Sequence, residues 1–232
     1  MHIITTRPDE DSLQIISKFQ ILGHDVTHLP LLNIKKINYK KIDFSNYKGL
    51  IFTSTNAIKF LETKNIPKNI LCFCVGERTE KKARSLGFVN AICAGGNVEA
   101  LKELILRMHE KNNGKLIYFS SETITIDLDK LLIKLGYIVD RIINYSAEPV
   151  EHINGKVEAK IKANPPDIIY VYSEKSAINL KNLIKKYSLF DYLINCNLMC
   201  ISEKSSKVLS NLKWKKIFIF IPGEEEFLLY KI

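Results

Sequence analysis

No apolar run in this sequence approaches the ~20 residues that a membrane span requires. The opening, MHIITTRPDE, has no basic start followed by an apolar stretch and small residues, so no secretory signal is read there and a cytoplasmic, membrane-free protein is predicted. There is no Walker-type G-x-x-x-x-G-K, no dinucleotide fingerprint G-x-G-x-x-G and no G-x-S-x-G elbow; Gly95-Gly96-Asn97 has the wrong spacing. Nucleotide and redox cofactors are therefore not expected. Cysteine is scarce and odd in number, five in all, and Cys72 and Cys74 form C-x-C rather than C-x-x-C. Further ligands at zinc spacing are absent and no metal site is expected; buried, reduced thiols are the simplest reading. His2, His24, His28, His109 and His152 are scattered along the sequence, none next to an obvious catalytic residue. Basic residues outnumber acidic ones, 34 to 25, for a net charge of +9. They are dispersed lysines with no arginine cluster and no interleaved aromatics, which argues against a nucleic-acid partner. The charge fits a small polyanionic ligand, and it fits equally a composition merely rich in lysine, isoleucine and asparagine.

What the chain does have is alternation of strands and helices over 232 residues, 46% of them hydrophobic. Strand-like runs are predicted at Met1–Thr6, Asp25–Leu32, Gly49–Thr53, Leu71–Val75, Ala91–Ala94 and Lys115–Phe119. Helical spacing covers 9–22, closed by Gly23, then 55–61 after Ser54 as N-cap, 79–86 closed by Gly87, and 98–108; a further helix ends at Leu135 before Gly136. The stretches 33–47 and 148–166 read as connections. The pattern then repeats. Leu22-Gly23 lies under Leu135-Gly136, with Phe19 under Leu132 and Leu13 under Ile126. Ile51-Phe52-Thr53-Ser54 resembles Val171-Tyr172-Ser173, and Cys74-Val75-Gly76-Glu77-Arg78-Thr79 resembles Cys200-Ile201-Ser202-Glu203-Lys204-Ser205. The final segment, 216–232, takes the place of 91–108. A unit of roughly 110–120 residues is too long for a solenoid repeat. It predicts an α/β fold of two similar doubly wound parallel-sheet lobes, an internal duplication with a cleft between the copies.

Ligands of open α/β sheets bind beyond the C-terminal strand ends. In this chain those positions carry hydroxyls repeatedly: Thr5 and Thr6 with Arg7; Thr53, Ser54 and Thr55; Thr79; Ser120 and Ser121; Ser173 and Ser176; Ser202, Ser205 and Ser206. Hydroxyls and free backbone N–H groups at helix starts receive carboxylates and phosphates; they also simply cap helices. Tyr145 stands apart, at the end of the segment Arg141-Ile142-Ile143-Asn144-Tyr145-Ser146 where the chain should cross between lobes. A phenol is a neutral proton donor at pH 7, or an ordinary boundary tyrosine.

Taken in order, these pieces resemble the uroporphyrinogen-III synthase family. The matching stretches are Ile4-Thr5-Thr6-Arg7-Pro8, Leu29-Pro30-Leu31-Leu32, Ile51 to Ile58, Val75-Gly76-Glu77-Arg78-Thr79, Gly95-Gly96-Asn97, the Tyr145 segment, Tyr172-Ser173 and Ile201-Ser202-Glu203. The resemblance implies that the copies exchange segments. One lobe would comprise residues 1–31 with 149–232 and the other 38–142, joined by a two-stranded ladder of 32–37 and 143–148. It implies a lyase that closes the linear tetrapyrrole hydroxymethylbilane to uroporphyrinogen III, inverting ring D and releasing water, without a cofactor or metal. It implies a monomer with at most transient contact with the preceding enzyme. Tyr145 matches the tyrosine that assists departure of the hydroxyl. Arg7, Thr53, Ser54, Thr55, Thr79, Ser120, Ser121, Ser173, Ser205 and Ser206 fall at substrate-facing positions. Ser120-Ser121-Glu122 departs from the family's usual glycine and arginine, and Ile221-Pro222-Gly223-Glu224 matches only loosely. The alternatives are a two-lobed, non-catalytic binder of an anionic small molecule and an enzyme acting on phosphorylated metabolites.

Overall fold

The structure, a computed structural model, describes residues 1–221 and 223–231; Pro222 and Ile232, both within the predicted final segment, lie outside the described residues. In chain order the elements are β1 (His2–Thr5), α1 (Asp9–Ile21), β2 (Asp25–His28), β3 (Leu32–Lys36), β4 (Tyr47–Phe52), α2 (Thr55–Lys59), β5 (Leu71–Cys74), α3 (Glu77–Ser85), β6 (Ala91–Cys93), α4 (Val98–Met108), β7 (Lys115–Ser121) and α5 (Leu128–Lys134). They continue with β8 (Val139–Pro149), α6 (Gly155–Ala163), β9 (Ile168–Val171), α7 (Glu174–Lys186), α8 (Phe190–Leu193), β10 (Asn197–Cys200), α9 (Glu203–Leu209) and β11 (Lys216–Ile219), followed by a 3₁₀ helix over Glu225–Lys231.

The chain divides into two compact units, residues 1–33 with 148–232, and residues 34–147. The first unit holds a parallel sheet in the order β11-β10-β9-β1-β2. The order in the second is β3-β8-β7-β4-β5-β6, parallel from β8 to β6. Overlaying β1 on β7 and β9 on β4 makes the two orders identical except for β3, so the duplication is present in the topology. A simple tandem of copies does not describe it: β1 and β2 pair with the late strands, β4 to β6 with the middle ones. Each sheet is covered on both faces. In the first unit Ile15 and Phe19 of α1 pack with Ile3 and Tyr170, while α6, α7 and α9 cover Ile4, Ile169 and Leu198. In the second, α2 and α3 cover Phe52, Cys72 and Phe119, and α4 and α5 cover Ile51, Phe73 and Tyr118.

The repeat has a local cause. α1 ends with Gly23 at φ 79° and a bond from the His24 N–H to the Phe19 carbonyl; α5 ends with Gly136 at φ 90° and a bond from the Tyr137 N–H to the Leu132 carbonyl. Both are left-handed glycine stops that turn the chain into a strand.

Three expectations need correction. The stretch 148–166 is not only a connection, since α6 lies within it. Asn154 accepts the Lys156 N–H at 2.9 Å to start the helix, but only Ile161 is buried, so no apolar stripe announces it. α3 begins at Glu77, two residues earlier than predicted, because extended Gly76 is its N-cap and Glu77 and Glu80 suit the positive end of the helix. Thr79 therefore sits inside the first turn. The final segment follows β11 with a 3₁₀ helix, not a copy of α4.

β3 and β8 form the ladder. The Ile37 N–H donates to the Asn144 carbonyl at 3.0 Å and the Val150 N–H to the Leu31 carbonyl at 3.0 Å, a pairing that runs antiparallel. Buried Asn179 of α7 donates through Nδ2 to the Leu31 carbonyl at 2.7 Å and to the Val150 carbonyl at 3.0 Å. It thereby ties both segments at the point where they enter the first unit. Asn179→Leu removes the side-chain donor from the Val150 carbonyl and leaves the Leu31 carbonyl only the Val150 N–H, and is expected to cost about 1–3 kcal/mol in urea unfolding.

Candidate functional site

In the second unit the C-terminal ends of β4, β7 and β8 assemble a polar group. Ser54, extended at φ −157°, caps α2 by accepting the Asn56 N–H at 3.2 Å. Ser120 and Ser121 end β7, both buried. Tyr145 is 6% exposed. Its orientation depends on an irregularity. In the β7–β8 register Ser120 pairs with Ile143 but Ser121 pairs with Tyr145, so Asn144 is an extra residue. Strict alternation would put Tyr145 on the face of Arg141 and Ile143. The bulge resets the parity. Asn144 and Tyr145 both point to the α2 face, where Asn144 Nδ2 donates to the Ala57 carbonyl at 2.7 Å and the Tyr145 ring joins Phe52 and Phe119.

The hydroxyls of Ser54 and Ser121 lie beside the phenol and favour its ionised form, but burial is the larger effect and raises the Tyr145 pKa above its ordinary value. Ser121 Oγ is close enough to bias the phenol yet outside hydrogen-bonding geometry; it is buried with no partner. The site thus holds a protonated phenol next to an unused hydroxyl.

On the other face of the same strand ends, Thr53 Oγ1 and Tyr118 Oη are 3.0 Å apart. Arg141 donates from Nε to Ser120 Oγ at 2.8 Å and from Nη2 to the Ser121 carbonyl at 2.9 Å. Tyr118 and Arg141 are absent from the sequence-derived candidates. Tyr118 is within reach of a period-two count, since it shares its strand face with Ser120; Arg141 follows only from the β7–β8 register, in which it pairs with Tyr118. Thr55 is the first residue of α2, and Thr79 is buried in α3.

The remaining predicted residues belong to the first unit. Arg7, after β1, is buried and pairs through Nη2 with Glu225 at 2.7 Å, its guanidinium 4.0 Å from the centre of the Tyr172 ring. Ser173 caps α7, accepting the Ser176 N–H at 3.0 Å, and Ser202 caps α9 in the same way, accepting the Ser205 N–H at 3.3 Å. Each cap hydroxyl also meets that of its third neighbour, at 2.8 Å and 3.1 Å. Ser206 Oγ turns back onto the Glu203 carbonyl at 2.9 Å. Ser54 and Ser121 thus stand beside Tyr145, and Thr53 and Ser120 on the opposite face of the same strand ends, whereas Arg7, Ser173, Ser205 and Ser206 stand in a different unit, Ser173 and Ser205 in capping arrangements.

All five cysteines are free thiols and four are buried. Burial pushes Cys72 and Cys200 up to about 12, far from reactive thiolates. No cluster of three metal-ligating side chains occurs among the described residues, nor does a helix long and apolar enough to cross a membrane.

The family model described as uroporphyrinogen-III synthase HemD matches residues 14–219. Among solved structures, uroporphyrinogen-III synthetase from Helicobacter pylori superposes with a TM-score of 0.65 at 20% identity, covering 100% of this chain and 99% of that one. A mutant uroporphyrinogen III synthase from Thermus thermophilus gives 0.58 at 11% identity, covering 100% and 98%. These likenesses establish the fold. No curated protein sequence matches the chain.

Proposed function

The chain belongs to the uroporphyrinogen-III synthase family and is an enzyme of tetrapyrrole biosynthesis; we propose that it works as a cyclising hydro-lyase with Tyr145 as the proton donor to the departing hydroxyl. The match over residues 14–219 carries the activity; the bulge that turns Tyr145 towards Ser54 and Ser121 supports the residue assignment. Hydroxymethylbilane loses its terminal hydroxyl when the C–O bond breaks. The Tyr145 phenol donates to that oxygen, which leaves as water, and the electron-rich pyrrole stabilises the resulting cation. Ring closure with inversion of ring D then expels a proton from the reacting pyrrole carbon, which restores the phenol, so the sum is loss of one water. Ser54 and Ser121 stabilise the transient phenolate by hydrogen bonding. Holding a flexible chain so that the inverted ring closes supplies much of the remaining acceleration.

The substrate's carboxylates agree with a net charge of +9. Arg141, Thr53 and Ser120 are proposed to receive some of them, with Ser121 at the end of β7, Thr55 at the start of α2 and Thr79 in the first turn of α3 as further contributors from this unit. Arg7, Ser173, Ser205 and Ser206 are the proposed contributors from the other unit. We take residues 1–31 with 149–232 and 38–142 as the functional lobes, 32–37 and 143–148 as their connecting strands, and the enzyme as cytoplasmic, monomeric and independent of cofactors. The test is conversion of hydroxymethylbilane by the purified chain in metal-free, nucleotide-free buffer, with the oxidised isomers separated. Isomer III is expected; isomer I alone overturns the assignment.

A further inference from the structure

In the first unit, the 3₁₀ helix after β11 delivers a carboxylate to the C-terminal edge of β1 and β9. Glu225 is buried and pairs with Arg7 at 2.7 Å. The Gly223 N–H donates to the second Glu225 oxygen at 3.0 Å, and Tyr170 Oη donates to the Glu225 carbonyl at 2.7 Å. Lys18 pairs with the neighbouring Glu226. Arg7 is sandwiched further by the Tyr172 ring, 4.0 Å from its guanidinium carbon.

A bridge that served stability alone would satisfy the groups it buries. This one does not. Arg7 Nε, Thr5 Oγ1 and Tyr172 Oη are all buried with no hydrogen-bond partner. Thr5 and Arg7 both lie close enough to the Tyr172 phenol to favour its ionised form, yet outside hydrogen-bonding geometry, so the three groups share one spot. Glu225 meets one guanidinium nitrogen, Nη2, and leaves Nε unused, although a guanidinium can hold a carboxylate at two points. The position is also the end of an open parallel sheet at which ligands of such folds bind.

We infer that Thr5, Arg7 and Tyr172 form a receptor for a carboxylate of the ligand, and that Glu225 is a built-in competitor which occupies it until the ligand displaces the 3₁₀ helix. This rests on the proposed function for the identity of the ligand, a polycarboxylated tetrapyrrole, but not for the competition itself. A closed form that outnumbers the open one ten to one weakens apparent affinity about tenfold. The occupant is a seven-residue 3₁₀ helix entered through Gly223 at φ 95°, a short element outside both sheets that can open without unfolding them.

The probe is uroporphyrin I, a fluorescent octacarboxylate, titrated against the full chain. Glu225→Ala and Glu225→Gln are each expected to bind it about tenfold more tightly than the parent chain, while exposed Glu224→Ala leaves the affinity unchanged. Equal or weaker binding by folded Glu225 variants overturns the inference. Because removing Glu225 leaves Arg7 unpaired and can unfold the chain, the parent chain supplies an independent readout by hydrogen exchange. Saturating uroporphyrin I is expected to speed exchange of the Glu224 and Phe227 amides, which donate to Ile221 and Glu224; unchanged or slower exchange overturns the inference. Formation of isomer III by the parent chain is scored separately. Product without these shifts removes the competitor and keeps the synthase; the shifts without product remove the synthase and keep the competitor.

Discussion

Tyr145→Phe is expected to lower kcat for uroporphyrinogen III formation by about 10²–10⁴-fold, the usual contribution of a positioned general acid. Its melting temperature should stay close to that of the parent chain. The two expectations have separate causes. The ring fills space among Phe52 and Phe119, and phenylalanine fills it equally well. Ser54 keeps its bond to the Asn56 N–H, so the only loss is one phenolic hydroxyl, worth about 0.5–1.5 kcal/mol. The pH dependence follows from the direction of the shift. Burial raises the folded-state pKa of Tyr145 above the ordinary 10.0. The phenol is therefore protonated at every pH below that value, and its ionisation cannot limit kcat in the neutral range. By the same sign, its contribution to stability is complete below the unfolded-state pKa and is lost only as pH rises through the folded-state one. A kcat of Tyr145→Phe within twofold of the parent would remove the phenol from the chemistry. A large fall in melting temperature would instead assign it to packing.

The alternating elements and the α/β class can be read from the chain because both copies carry the same local instructions. Gly23 and Gly136 stop α1 and α5 with the same left-handed turn, and Ser54, Ser173 and Ser202 cap the helices that follow β4, β9 and β10. These are short-range devices, and short-range patterns survive in sequence. α6 escapes such a reading because Ile161 is its only buried residue. The pairing of early with late strands comes from resemblance to a family; no periodicity encodes which strand neighbours which. The hydroxyls at strand ends are equally legible, but their grouping is not. One extra residue, Asn144, decides which face Tyr145 takes, and a bulge of one residue has no compositional mark. Glu225 lies 218 residues from Arg7, so nothing in the sequence announces that a carboxylate already sits on that arginine.

Phe119→Ala should have the largest effect on stability, and it tests whether the apolar floor beneath Tyr145 is what holds the site. Phe119 is fully buried on β7, directly before Ser120 and Ser121. Its ring stacks on Phe52 at 6.0 Å and Phe44 at 6.5 Å between centroids, and meets the edge of Tyr39 at 5.7 Å. Truncation removes the shared surface of three aromatic contacts and opens a cavity, at a cost of about 3–5 kcal/mol. With about 2–4 °C lost per kcal/mol in a chain of this size, the transition of the unit holding Phe119 should fall by about 6–20 °C. Phe119→Leu keeps most of the volume and should cost less than half as much. Activity is expected to follow the same order, with Leu retaining most of kcat below its melting transition and Ala losing it. Phe119 has no polar atom to offer the substrate, so its effect on turnover must pass through the Tyr145 ring that shares its cluster and the backbone that carries Ser121. A fully active, equally stable Phe119→Ala chain would mean that Tyr145 is positioned by the Asn144 bulge alone.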